Sequence, residues 1–185
     1  MAKRIQRKRW IGISLLAPLI LAPVATGEAR GQTLPDGAFG WMAQLAGNCW
    51  TALYPDRATR DTQCYSVQYG RYLRGTIRIE SSSSGGDRPP YLGDSVFAWN
   101  AETSEMQFYY WSSGGSHGMT VGRVEGATIN FPRPPQVGAN APMTRTSWTR
   151  LGPDSYRVTT QRLDDGNWVD GMSITYTRVA ADPGE

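Results

Sequence analysis

Few side chains in this sequence have the type and spacing to do chemistry: Cys49 and Cys64, His117, the acids Asp61, Asp164 and Asp165, and the pair Tyr176 and Arg178. Most of them exclude more than they suggest. The two cysteines lie far outside Cys-x-x-Cys redox spacing, and with one distant histidine they are too few ligands for zinc. A Ser-His-Asp triad has only His117 to draw on. That residue sits in SSGGSHGMT, which reads as an exposed hairpin tip, with a haem-binding or catalytic role as the other reading. Both lysines, Lys3 and Lys8, fall in the first ten residues, so amine chemistry needing a lysine beyond that point is excluded. Asp164-Asp165 reads as turn chemistry rather than a carboxylate dyad. Asp61 reads as a solvated strand charge, with a buried acid as the alternative. No Gly-rich phosphate loop precedes a helix, which removes nucleotide binding. No cofactor and no metal are expected.

The N-terminus decides where those residues operate. Lys3, Arg4, Arg7, Lys8 and Arg9 precede an uncharged run from Trp10 to Gly27, and small residues follow at Ala25, Gly27 and Ala29. This is the pattern of a signal peptide over residues 1–29, cleaved somewhere between 27 and 31. An uncleaved anchor is the alternative, because about 18 uncharged residues just span a bilayer, although Pro18 and Pro23 interrupt the run. Removing 1–29 takes away five cations and Glu28, leaving 14 basic against 15 acidic side chains. The basic balance belongs to the leader, so a counterion-displacing grip on nucleic acid is not expected. A periplasmic or secreted protein without stable membrane insertion after processing is expected, its oligomeric state open.

Residues 30–185 have the length of one domain. After residue 47 the periodic segments alternate with period two, are rich in Val, Ile, Thr, Tyr and Trp, and end in turn residues, which is the strand signature. Strands are expected near 48–54, 59–68, 71–80, 91–99, 106–112, 118–125, 127–131, 143–151, 156–163 and 168–179. One short helix is expected in 36–47, capped by Asp36 and ended by Gly47. Two longer connections, 81–90 and 131–142, read as surface loops or as lids. A meander of about ten strands avoids exposed edges by closing into an antiparallel up-and-down barrel. The fold class is therefore all-β.

Hairpin registers then assign faces. If PDRA is the first loop, Tyr54 faces Thr59 and Cys49 lands opposite Cys64, close enough for a disulfide in an oxidising compartment. A loop at 100–105 puts Phe97, Trp99, Met106, Phe108 and Tyr110 on one face, which should point inward. A turn at Asp165-Gly166 pairs Leu163 with Trp168 and puts Met172, Ile174, Tyr176 and Arg178 together, so a charge is expected inside.

These features resemble the calycin superfamily, the lipocalin-like and fatty-acid-binding-protein-like barrels. The likeness rests on a short N-terminal helix, LAGNCW leading into the first strand, the meander, and a last strand ending YTR. It spans about Phe39 to Val179 and extends to an uncharacterised exported bacterial group built from such a barrel. Lipocalins begin Gly-x-Trp, whereas Gly47 and Trp50 are one residue further apart; the Arg-x-Tyr of fatty-acid-binding proteins is reversed in Tyr176-Thr177-Arg178. The resemblance implies two roles for Arg178: pairing with a ligand carboxylate beside Tyr176, or stacking on Trp50 to close the barrel's base. Barrels of this kind that bind haem hold it by a His near the C-terminal strands, where this sequence has none.

Trp50, Tyr65, Phe97, Trp99, Phe108, Tyr110, Tyr176 and Arg178 are the candidate ligand-binding residues; the aromatics among them either line a cavity or fill a core. The leading reading is an exported barrel holding a small apolar or amphipathic molecule without catalysis. The alternatives are an isomerase, cyclase or hydrolase using Asp61, a Tyr or His117 as acid or base, and a solid barrel presenting an outer face to a protein partner.

Overall fold

The computed structural model describes residues 33–35, 37–82, 89–133 and 143–179. Among them are ten strands: β1 (Asn48–Leu53), β2 (Thr59–Gln68), β3 (Tyr72–Ser81), β4 (Tyr91–Asn100), β5 (Glu105–Ser112), β6 (His117–Glu125), β7 (Thr128–Arg133), β8 (Thr144–Gly152), β9 (Ser155–Asp164) and β10 (Asn167–Val179). Each runs antiparallel to its sequence neighbours, and β1 pairs with both β2 and β10, closing the barrel. Closure leaves no unpaired edge, the condition that made a barrel the expected architecture.

The hairpins carry the registers read from their turns. Cys49 faces Cys64 and the two are bonded; Phe97 faces Phe108 and Trp99 faces Met106; Leu163 faces Trp168. At the last turn Asp165 and Gly166 both take positive φ, 45° and 81°, the primed-turn geometry that matches strand twist.

The helix differs from expectation. It is a six-residue 3-10 helix, Gly40–Leu45, with no side-chain cap. Asp36, the expected cap, lies outside the described residues, as do the leader at 1–29 and the stretches 83–88 and 134–142 of the two long connections. Trp41, Met42 and Leu45 are buried, and they plug the end of the barrel where β1 begins. Gln44 Nε2 donates to the Gly152 carbonyl at 3.4 Å and Trp50 Nε1 to the Leu45 carbonyl at 3.4 Å, tying the plug to β8 and β1.

Next to the plug the interior is closely packed. Phe39, Trp50, Leu73, Phe97, Met106, Ile129, Tyr156 and Tyr176 are all nearly inaccessible. Rings interlock there: Tyr156 stacks on Tyr176 at 4.8 Å and on Trp148 at 5.6 Å, and Phe97 stacks on Phe108 at 4.7 Å. Space for Phe131 comes from Gly122, whose place a Cβ would occupy only 2.6 Å from Phe131 Cδ1.

Candidate functional site

Strand alternation sends Asp61, Gln63 and Tyr65 of β2 into the barrel, because the register that joins Cys49 to Cys64 also sets Gln63 beside inward Trp50 and Asp61 beside inward Ala52. All three are buried, and Asp61 is only 3% exposed. The reading of Asp61 as a solvated strand charge is therefore corrected: it is the buried acid. A β2 residue pointing outward at this height would be solvated, but inward parity gives it no water.

Its environment is a web of phenols and one amide. The Tyr176 hydroxyl donates to Asp61 Oδ2 at 2.6 Å, and Gln63 Nε2 donates to the same oxygen at 3.3 Å and to the Tyr176 hydroxyl at 2.9 Å. Gln63 Oε1 accepts from Tyr65 at 2.6 Å and from Tyr156 at 3.3 Å. Asp61 Oδ1, though buried, has no hydrogen-bond partner. None of the ion pairs among the described residues involves Asp61.

Burial is the main force on its titration. It pushes the Asp61 carboxyl above the ordinary range, against the opposing pull of the hydrogen bonds from Tyr176 and Gln63 and of the nearby Tyr54 hydroxyl. In turn the charge of Asp61 adds to burial in raising the surrounding phenols: Tyr54 is pushed up to about 12, and Tyr65, Tyr110, Tyr156 and Tyr176 rise as well. These tyrosines are thus neutral hydrogen-bonding groups at any physiological pH.

Among the described residues, the inward face is less deeply buried at the end away from the plug. Ile77, Ile79, Tyr91, Phe108, Tyr110 and Val158 share the inward parity of the core, yet each keeps partial solvent exposure. Together they make a partly exposed aromatic and aliphatic stretch of the inward face, here termed the cup, with the Tyr91 and Tyr110 hydroxyls hydrogen-bonded to each other. Asp61 faces Ile79 of this half across the β2–β3 ladder and accepts from Tyr176 of the buried centre, which places the carboxylate between core and cup. A groove of about 450 Å³ runs along the rim past Arg133, Thr146, Thr160 and Arg162.

The sequence candidates divide between these regions. Tyr65, Phe97 and Tyr176 belong to the buried centre, and Trp99, Phe108 and Tyr110 are partly exposed on the inward face. Trp50 is fully buried at the plugged end. Arg178 shares the inward parity of Tyr176 but lies one step beyond the closed volume, where β10 meets the start of β1. Its guanidinium stands 5.2 Å from the Trp50 ring centroid, donates to the Pro153 carbonyl at 2.8 Å and pairs with Asp154 at 3.2 Å. Of the two arrangements implied by the calycin resemblance, this is the base-closing one. An interior charge was expected, and there is one, but it is Asp61.

His117 is exposed at the start of β6, and Asp164 and Asp165 are exposed in the turn. Cys49 and Cys64 lie on the outer face, opposite in parity to Trp50 and Gln63. No group of three or more His, Cys, Asp or Glu side chains among the described residues is placed to hold a metal. Gln63, Tyr54 and Tyr156 were not singled out from the sequence. The signal for Gln63 was present: the register that pairs the cysteines pairs it with Trp50.

No protein-family model and no curated protein matches the sequence. Among solved structures, the crystal structure of Rv2717c from M. tuberculosis superposes with a TM-score of 0.52 at 14% sequence identity, covering 79% of this chain and 99% of that one. At that identity the likeness shows the fold, a ten-stranded antiparallel barrel in this chain, and nothing of its use.

Proposed function

We propose that the protein is an exported, calycin-like carrier that holds a small, largely apolar or amphipathic molecule in the open half of its barrel without turning it over. The observation that carries this reading is Asp61 Oδ1, a buried acceptor with no partner among the described residues, next to a stretch of partly exposed, inward-facing aromatic and aliphatic side chains. Leaving such an atom unsatisfied costs about 1–3 kcal/mol, a cost that a bound ligand's donor removes. Packing alone gives no reason to keep a carboxylate there. Export is supported by the leader read from the sequence and by the Cys49–Cys64 disulfide, which persists in oxidising compartments. No helix among the described residues is long and apolar enough to cross a membrane.

The test is denaturing extraction and mass spectrometry of compounds copurifying with the wild type, with Asp61→Asn, and with Ile79→Trp. Ile79 neighbours Asp61 across the β2–β3 ladder, so an indole there fills the cup. One compound recovered from the wild type and lost in both variants supports the reading; equal recovery from all three removes it. A second reading, an enzyme of the isomerase, cyclase or hydrolase kind, draws on the short Tyr176–Asp61 contact and the raised carboxyl. It requires that an added ligand emerge chemically altered.

A further inference from the structure

We infer that the ligand's head group is an organic ammonium, whose N–H donates to Asp61 Oδ1 and whose charge neutralises the carboxylate. The inference rests on the reading of the interior as the ligand site and names the chemistry that site selects. A carboxylate withdrawn from water needs hydrogen bonds and an opposite charge. Asp61 has the first in part and lacks the second. Tyr176 and Gln63 supply Oδ2, and Tyr54, which also lowers the carboxyl, makes no hydrogen bond to Oδ1. The described arginine nearest in role, Arg178, is committed to Trp50, Pro153 and Asp154 at the plugged end. Arg133 and Arg162 are exposed at the rim, the latter paired with Asp164.

Three head groups can be ranked by what they do to this site. A carboxylate is repelled by Asp61 and, among the described residues, finds arginines only at the rim, at Arg133 and Arg162, and none beside Asp61. A neutral hydroxyl satisfies Oδ1 and leaves the buried charge uncompensated. An ammonium satisfies both, through a charge-assisted hydrogen bond stronger than a neutral one. The walls favour it again, since the partly buried side chains there include Tyr54, Tyr91 and Tyr110, aromatic groups of the kind that stabilise a desolvated cation.

The experiment is isothermal titration of the purified protein with three probes of one length and shape, 4-phenylbutylamine, 4-phenylbutanol and 4-phenylbutyrate. The amine is expected to bind at least tenfold more tightly than the alcohol, and the carboxylate not measurably. Asp61→Asn should abolish the preference for the amine, and Ile79→Trp, which retains the carboxylate, should abolish binding of both. If amine and alcohol bind alike to the wild type and Ile79→Trp blocks both, the interior site stands and the ammonium inference falls. Failure of all three probes to bind overturns both.

Discussion

Replacing Asp61 by Asn is expected to stabilise the fold at neutral pH, and the gain should grow with pH. The amide keeps the side chain's shape and can still accept from the Tyr176 hydroxyl, but it carries no charge for burial to penalise. Because burial raises the folded carboxyl's pKa, the native state holds more protons than the unfolded chain between the unfolded value near about 3.9 and that raised value. Stability therefore falls as pH rises through this window and is flat above it. Each unit separating the two values corresponds to about 1.36 kcal/mol. At 3% exposure solvent screens little of this, so the variant's gain near pH 7 is about 1.4 kcal/mol for each unit by which burial raises the carboxyl. Urea denaturation of both proteins, from about pH 3.5 to about pH 8, measures it. The two should nearly coincide at the acid end, with the variant's midpoint higher at neutral pH and unfolding slopes unchanged. A difference independent of pH, or a variant less stable at neutral pH, would refute the reasoning and make the carboxylate a keystone of the core.

Three further outcomes are expected. Replacing Cys49 and Cys64 together by Ala should cost about 2–4 kcal/mol in urea denaturation, without altering ligand affinity, since the bridge lies on the outer face. Gly122→Ala should destabilise by about 1–3 kcal/mol through overpacking against Phe131, and Phe131→Leu in the same chain should recover part of it in a thermal melt. Arg178→Leu should lower the melting temperature by removing the contact with Trp50, worth about 0.5–2 kcal/mol, while leaving copurifying ligand in place, because Arg178 sits at the plugged end.

The barrel was legible because its determinants are local. Alternation in β4 and β5 marked Phe97, Met106 and Phe108 as inward, and Asp165-Gly166 fixed the β9–β10 register as far as Asp170, beyond which a bulge shifts it and leaves Met172, expected inside, exposed. The helix was less legible: its six residues are held by Trp41, Met42 and Leu45 reaching into the core, a tertiary cause with no cap to announce it. The site was half legible. Phe108, Tyr110 and Tyr176 were named for their faces and Tyr65 as one of the candidate aromatics, but Asp61 was set aside because an isolated strand acid is ordinarily solvated.

What the sequence by itself determined, then, is parity and register: which residues face inward, and that Cys49 meets Cys64, since turn chemistry and nearest neighbours along a hairpin decide both. Height along the barrel axis is a different matter. Arg178 and Asp61 share the inward parity, yet one closes the base over Trp50 and the other lies beneath the cup without a counter-charge. Parity repeats every two residues and cannot distinguish them. Strand tilt, closure of β1 on β10 and the plug at one end assign each inward residue its depth, and depth determined which charge is buried.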